Sequence, residues 1–490
     1  MFWYRIMISN NERGNEMSIF SEKLKSIIQE KHIVINDMAK KCQIDHSTFY
    51  KILNGKRLPV SKALIVRMAE YLNLSPDESE PLFELYDVMK LGEETFYQRK
   101  YVKEFIEKLN VEKELNILSG AGTLEFQEGT FAIEGADSVN KIVEHIVKGE
   151  YEKAGRVRMI CQSDYDFLYT ILCMNKENPK FMLEHILCLE NDSSCSGSVN
   201  MKSIGRIAPL LKESFDYHLM YFYDRIQART GRMSLFPHMI LGENQAILLS
   251  FDYTRGLYYT DKPSVEMLGN IFRECREYVK PFVLYDAELS DLKAVMEDEA
   301  LNEPNQCYIL CPAPYFGHLC EPELWVSLLK QDLPNREEME QFLKADNQPF
   351  MVKKVRESVI YSYFTREGCE DFYFRGHVVD RLSDFCNIMP KEERKKLIQK
   401  VLNEIRDGRM KTRLLKREQL KMNRDFYLVL FNDTLTSCTV KRRNQSYAMM
   451  TFKENMICRA IYDFMTSLDD SGMVESEEET VQYLEELLMQ

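Results

Sequence analysis

Residues 38–59 read Met38-Ala39-Lys40-Lys41-Cys42-Gln43-Ile44-Asp45-His46-Ser47-Thr48-Phe49-Tyr50-Lys51-Ile52-Leu53-Asn54-Gly55-Lys56-Arg57-Leu58-Pro59. Asp45 is an N-cap, because its carboxylate can accept one of the backbone N–H groups that a helix start leaves unpaired. The helix it opens runs from His46 to Leu53 and stops at Asn54-Gly55, where glycine supplies the left-handed residue that ends a helix. Working outward, a short helix from Ile35 to Cys42 turns Met38 and Ala39 inward. Before it, Ile19, Phe20, Leu24, Ile27 and Ile28 recur at helical spacing. After it, the basic turn Lys56-Arg57-Leu58-Pro59 leads into a fourth helix from about Ser61 to Leu72.

Residues 19–75, with Met38-Ala39, Ile44, Ser47-Thr48-Phe49, Ile52, Asn54-Gly55-Lys56-Arg57-Leu58-Pro59 and Leu72 at these spacings, closely resemble the lambda-repressor-like (Cro/repressor, XRE-type) helix-turn-helix domain. The resemblance implies a small Ala39 where helices 2 and 3 cross, Ile44 plugging the turn, and Phe49 and Ile52 holding the recognition helix on the core. It implies double-stranded DNA as partner, with His46, Ser47, Tyr50 and Lys51 meeting base edges in the major groove. Asn36, Lys40, Lys41, Thr48, Lys56 and Arg57 would lie near phosphates, which position the domain without reading sequence. Where the family often opens helix 2 with Gln, this chain has Ile35, and Asn36 takes that contact. Domains of this kind read palindromic operators as homodimers, since one recognition helix covers few base pairs.

The charge supports a division of labour. The 490 residues carry 64 Lys+Arg against 77 Asp+Glu, a net −13, yet residues 1–75 alone sum to +5 and the remainder to −18. A 45% hydrophobic composition is ample for packed cores and excludes a disordered or low-complexity chain. Thirteen scattered cysteines without a Cys-x-x-Cys pattern read as reduced thiols of a cytoplasmic protein. No apolar run reaches the roughly 18–20 residues of a spanning helix, so no membrane is expected. The apolar start, Met1 to Ile8, is too short for a signal peptide. Residues 1–17 read as a disordered tail or an over-extended start, with Met17 as the alternative first residue.

The remaining organisation is a helical connector over 76–120 and a large α/β body in two halves, 121–285 and 286–490. Gly120-Ala121-Gly122 reads as a turn and not as a phosphate loop. Strand-like runs at 156–161, 181–189, 218–223, 237–241 and 245–251 alternate with helical ones at 139–148, 164–174, 201–213 and 264–278. The stretch 236–252 resembles the late strand pair of phospholipase-D-like domains, which carry His-x-Lys-x4-Asp so that a His nucleophile attacks a phosphodiester beside a Lys. Those positions here hold Leu235, Pro237 and Gly242, so the resemblance implies a scaffold whose catalysis is lost. His238 is off register and reads as a packed or surface imidazole. The second half echoes the first: Ile160-Cys161 and Tyr165 against Leu310-Cys311 and Tyr315, and 239–251 against 426–440. Phospholipase-D-like proteins are pseudo-dimers of such halves.

Cys307, Cys311, His318 and Cys320 could suit zinc by donor type, but Cys307 to Cys311 reads as a buried strand, and core thiols are the preferred reading. The basic run Arg406 to Lys421 reads as solvated surface, and Ser476 with Glu479 as a capping box. The expected fold is therefore α + α/β, a lambda-repressor-like domain of four or five helices followed by a large body, a duplicated phospholipase-D-like pseudo-dimer. The expected function is sequence-specific transcriptional regulation, with no catalytic residues, no cofactor and no metal. The body senses an effector or mediates assembly, and beside DNA the expected partner is an unidentified effector or partner protein. Two alternatives are a non-catalytic antitoxin or prophage-type adaptor with a DNA-binding head, and a phosphodiesterase-like enzyme targeted to DNA.

Overall fold

The computed structural model describes residues 19–110, 127–174, 178–192, 194–231, 233–285, 306–333, 336–344, 358–377, 386–444 and 447–490. The expectations for residues 1–17 and for Gly120-Ala121-Gly122 lie outside the described residues. The chain forms two compact units, Met1–Tyr97 and Gln98–Gln490.

The first unit is helical: α1 (Ile19–Glu30), α2 (Ile35–Lys41), α3 (His46–Leu53), α4 (Lys62–Tyr71), α5 (Pro76–Leu91) and the start of α6 (Glu93–Asn110). Its core is assembled from the inward stripe of each helix. Phe20, Leu24 and Ile28 of α1 meet Met38 and Ala39 of α2, Phe49 and Ile52 of α3, Ile65 and Met68 of α4, and Leu82 of α5. Burying each such side chain is worth about 1.5–3 kcal/mol, which outweighs the weak intrinsic stability of helices this short. Helix α5 starts at a capping box, Ser75 accepting from the Glu78 N–H while the Glu78 carboxylate accepts from the Ser75 N–H.

The second unit holds two mixed sheets. The first contains β1 (Thr130–Glu134), β2 (Arg156–Ile160), β3 (Met182–Glu190), β4 (Asp216–Asp224), β5 (His238–Leu241), β6 (Ala246–Leu249), β7 (Arg255–Tyr259) and β8 (Lys280–Pro281), in the order β1-β7-β6-β5-β2-β3-β4-β8. The second contains β9 (Val283–Tyr285), β10 (Gln306–Leu310), β11 (Val359–Phe364), β12 (Met410–Leu414), β13 (Tyr427–Leu430), β14 (Thr436–Lys441) and β15 (Tyr447–Phe452), in the order β12-β11-β10-β13-β14-β15-β9.

Read from the other edge, the second order is the first with each strand replaced by its counterpart, β8 being the added edge strand. The senses agree too. β2 lies between parallel β3 and antiparallel β5, and β10 lies between parallel β11 and antiparallel β13. The body is a topological duplication. The extra sequence between the halves' matched points lies in the crossovers β10–β11 and β11–β12, which is why the sequence echo drifts. The sheets change over at Phe282, since β8 pairs with β4 and β9 with β15.

Strand alternation splits β10 between two cores, as the pleat requires. Tyr308 and Leu310 join a core that also takes Val157, Leu187 and Leu219 of the first sheet. Cys307, Ile309 and Cys311 face a second core with Leu397, Ile398 and Val401 of α13 (Lys391–Arg406). Helices α7 (Ala136–Glu152), α8 (Asp166–Met174), α9 (Ser196–Ile207) and α10 (Lys262–Arg276) serve the first sheet. Short α11 (Pro322–Leu328) and α12 (Arg336–Lys344) precede α13, and α14 (Asn455–Thr466) and α15 (Glu477–Leu488) close the chain. All thirteen cysteines are free thiols, and all but Cys195 and Cys275 are buried. No described helix is long and apolar enough to cross a membrane.

Candidate nucleic-acid interface

Helix α3 is fixed at both ends by its own sequence. Asp45 accepts from the Thr48 N–H at 2.9 Å and from the Ser47 hydroxyl at 2.7 Å. The Ser47 hydroxyl first, then the Thr48 amide, hold the Asp45 carboxyl below the usual carboxylate range. At the far end Gly55 sits at φ +70°, with Lys56 N–H returning to the Lys51 carbonyl at 2.8 Å and Gly55 N–H to Ile52 at 3.0 Å. That is a Schellman stop, and a Cβ there would meet the left-handed penalty.

The turn between α2 and α3 is made by Gln43 at φ +54°, after which Ile44 N–H bonds the Ala39 carbonyl at 3.1 Å. Arg67 Nε donates to the Cys42 carbonyl at 3.1 Å, satisfying the end of α2. Buried Ser21 donates its hydroxyl to the Ile52 carbonyl and ties α3 to α1. Sequence reasoning did not single out Ser21 or Arg67 as positioning residues. A serine inside the apolar stripe Phe20–Leu24 was the available signal.

Packing Phe49, Ile52 and Leu53 inward turns His46, Ser47, Tyr50 and Lys51 outward, and all four are exposed. The structure joins three of the named residues in one cluster. His46 Nε2 donates to the Asn36 side-chain carbonyl, and its ring lies 4.8 Å from that of Tyr50. Ser47 gives its proton to Asp45, so its oxygen faces outward as an acceptor. Thr48 is half-buried, its N–H committed to the cap. Lys40, Lys41, Lys56 and Arg57 are exposed. None of these four, nor Lys51, has an ion-pair partner among the described residues, whereas Lys31 pairs with Glu78 (3.8 Å) and Lys62 with Asp87 (2.6 Å). The cations at the end of α2, on α3 and in the turn after it are thus uncommitted, as are Lys23 of α1 and Lys90 of α5.

In the body, Leu235, Pro237 and Gly242 offer a phosphodiester neither nucleophile nor cation. Gly242 instead makes room for buried Glu150, whose Oε1 accepts from the Glu243 N–H at 2.9 Å. His238 is buried against Tyr253, ring centroids 4.6 Å apart. Burial pushes its imidazole down to about 4, against the opposing pull of Asp164 and the Phe251 carbonyl, so it is neutral at pH 7. Cys307, Cys311 and Cys320 are buried core thiols, and no cluster of three metal-ligating side chains occurs among the described residues. In the basic run, Arg406 pairs with Glu485, Arg409 with Glu404 and Asp407, and Arg413 with Glu477, while Lys411, Lys416, Arg417 and Lys421 are exposed without an ion-pair partner among the described residues.

Comparison with known proteins adds the following. The chain is similar to the crystal structure of phosphatidylserine synthase from Haemophilus influenzae Rd KW20, at 10% identity and a TM-score of 0.22, over 80% of this chain and 96% of that one. It is also similar to TrmBL2, an archaeal chromatin protein, at 9% identity and a TM-score of 0.20, over 45% of this chain and 74% of that one. No curated protein matches its sequence. Residues 23–78 match the model of the Cro/C1-type HTH DNA-binding domain, and α1 to α4 with the start of α5 form that helix-turn-helix.

Proposed function

We propose that this protein is a sequence-specific transcriptional regulator of the bacterial type, acting in the cytoplasm, in which the head reads DNA and the body receives an effector or assembles the protein. The observation that carries this is the outward face of α3, where His46, Ser47, Tyr50 and Lys51 stand exposed beside cations that have no ion-pair partner among the described residues. Lys40, Lys41, Lys56 and Arg57, with Asn36 and the N-terminal turn at Thr48, supply phosphate contacts and hence salt-dependent affinity. The four outer side chains supply sequence choice in the major groove. Two heads in a homodimer would read the two arms of a palindromic operator.

The duplicated strand order supports reading the body as a phospholipase-D-like scaffold with its catalysis lost, because Leu235, Pro237 and Gly242 replace the reactive side chains of that motif. The test is binding of the full-length protein to the region upstream of its own gene, and to a scrambled duplex, at two salt concentrations. Ser47→Ala/Lys51→Ala should lose tenfold or more in affinity for the specific duplex, each base contact being worth about 1–3 kcal/mol. Unchanged affinity and unchanged preference in the double variant would refute the assignment of α3.

A further inference from the structure

The first half of the body contains a cavity of about 390 Å³ at the carboxyl ends of β2, β3 and β4. Its wall is made by Cys161 and Gln162 after β2, Cys188 of β3 and Phe222 of β4, closed by the segment from Ser234 to His238 that leads into β5. This is where the sheet reverses, with β3 parallel to β2 on one side and β5 antiparallel on the other. Open α/β sheets take ligands outside the carboxyl ends of their parallel strands, and β2, β3 and β4 present three such ends here.

The duplication provides an internal comparison. The position of Gln162 corresponds to Pro312 in the second half, and there the chain fills the space itself. Thr365 donates both its N–H and its hydroxyl to the Pro312 carbonyl, at 3.1 and 3.2 Å. Gly368 packs so closely that a Cβ would lie 2.4 Å from Pro312. The same topology is thus able to close this place with its own backbone, and in the first half it does not.

The lining selects by chemistry. Among the described residues that line it there is no Lys, Arg, Asp or Glu; the polar side chains are Gln162, Ser234 and His238, the last a neutral imidazole. A charged ligand entering here would lose its hydration without a counter-charge, at a cost of several kcal/mol. Leu235, 78% exposed, and Phe236, 38% exposed, stand at the mouth as apolar groups in water. Behind the wall, Tyr253 adopts φ +57°, stacks on His238 at 4.6 Å and on Tyr165 at 4.2 Å, and donates its hydroxyl to Asp164 at 2.7 Å. A bulky residue held in that strained conformation by three partners fixes the His238 ring in place.

The geometry points to this cavity as the binding site of an uncharged small molecule whose hydrogen-bonding groups face Gln162, Ser234 and His238 and whose apolar part rests against Phe222 and Phe236, replacing the phosphodiester chemistry of the scaffold. The inference rests on the reading of the body as the effector-receiving part of a DNA-binding regulator. Its volume lies in the range of ordinary ligand pockets, about 300–1,000 Å³.

The experiment is a fluorescence titration of the full-length protein with N-phenyl-1-naphthylamine, a neutral aromatic probe that brightens in apolar surroundings. Saturable one-to-one binding is expected, unaffected by millimolar inorganic phosphate. It should weaken at least tenfold in Ala228→Trp and in Ser234→Trp, two partly exposed lining positions where an indole fills the space, with thermal melting showing that each variant folds. Absence of saturable binding, equal affinity in both variants, or displacement by phosphate would overturn the site. Operator binding by the same preparations is read separately, so failure of the head's assignment and failure of the cavity give different results.

Discussion

Removing the two cations of the turn after α3, as Lys56→Gln/Arg57→Gln, should change the salt dependence of DNA binding and leave sequence choice intact. Both side chains are exposed and without ion-pair partners among the described residues, so their charge is available to phosphate. Each neutralised phosphate contributes about 0.9 to the slope of log K against log salt, so neutralising two fewer per head flattens the slope by about 1.8. Between about 50 and about 200 mM salt that is roughly a tenfold narrowing of the change in affinity per head, doubled on a logarithmic scale for two heads. Fluorescence anisotropy with a labelled operator and a scrambled duplex measures slope and preference together. Lys62→Gln is the control, because Lys62 is tied to Asp87 at 2.6 Å and should leave the slope unchanged. Ser47→Ala should do the converse of the double variant, relaxing preference at constant slope. An unaltered slope in Lys56→Gln/Arg57→Gln, or a flattened one in Ser47→Ala, would refute the division between positioning and reading residues.

The turn at Gln43 should accept glycine with profit. Relief of a left-handed non-glycine residue is worth about 0.5–1 kcal/mol, read as a two- to fivefold slower hydrogen exchange of the Ile44 and Phe49 amides. Gly242→Ala should destabilise the body by about 1–3 kcal/mol, since its Cβ would sit 2.5 Å from the buried Glu150 carboxylate. By contrast, Gly205→Ala, inside α9 with nothing within 4 Å, should stabilise by about 0.5–1 kcal/mol, and urea midpoints give both signs. The third test is pH. His185 is buried between the Tyr217 hydroxyl (2.9 Å) and the Cys161 carbonyl (3.0 Å), and burial pushes it down to about 4. The unfolded chain binds this proton below about pH 6.5 and the folded one only near 4, so stability is lost as pH falls through that window. Between pH 7 and 5 the loss is about 2 kcal/mol for His185, and His185→Gln should show a pH-induced loss smaller by that amount; an identical loss would refute it.

The head was legible because everything that specifies it is local. Asp45 and Gly55 bound α3 within eleven residues, and the apolar stripe of each helix names its own core face. In the body, β2 to β6 announced themselves as apolar runs. Strands β1 and β7 did not: Thr130–Glu134, at the edge of the sheet, is exposed at every other residue and packs only partly, so its pattern is diluted. The strand order could not be read at all, because β10 finds β13 more than a hundred residues later in the chain. The cavity was equally hidden. It exists because Cys161, Cys188 and Phe222, from three strands, fail to meet across a space that Thr365 and Gly368 close in the other half, and no local spacing encodes such a gap. Glu150 is a similar case, a carboxylate in a helix of ordinary appearance whose partner, the Glu243 amide, comes from a distant turn.

The distribution of charge partners gives the strongest link between fold and function. A net charge of −13 argues against nucleic acid only if the charges are interchangeable, and they are not. In the body's densest basic run, Arg406, Arg409 and Arg413 each hold a carboxylate within 3 Å, while Lys411, Lys416, Arg417 and Lys421 are exposed without an ion-pair partner among the described residues. For the three paired arginines, binding a phosphate would first require breaking an existing pair. In the head, Lys40, Lys41, Lys51, Lys56 and Arg57 have no ion-pair partner among the described residues, although carboxylates such as Asp37 and Asp45 lie close in sequence. Asp45 is engaged with the N–H and hydroxyl groups at the start of α3 and so is withdrawn from the cations around it. The cap that sets the recognition helix therefore makes no ion pair with the neighbouring lysines. The Asp45 carboxylate stays ionised in this role, and the positive end of α3 that it caps offsets part of its charge.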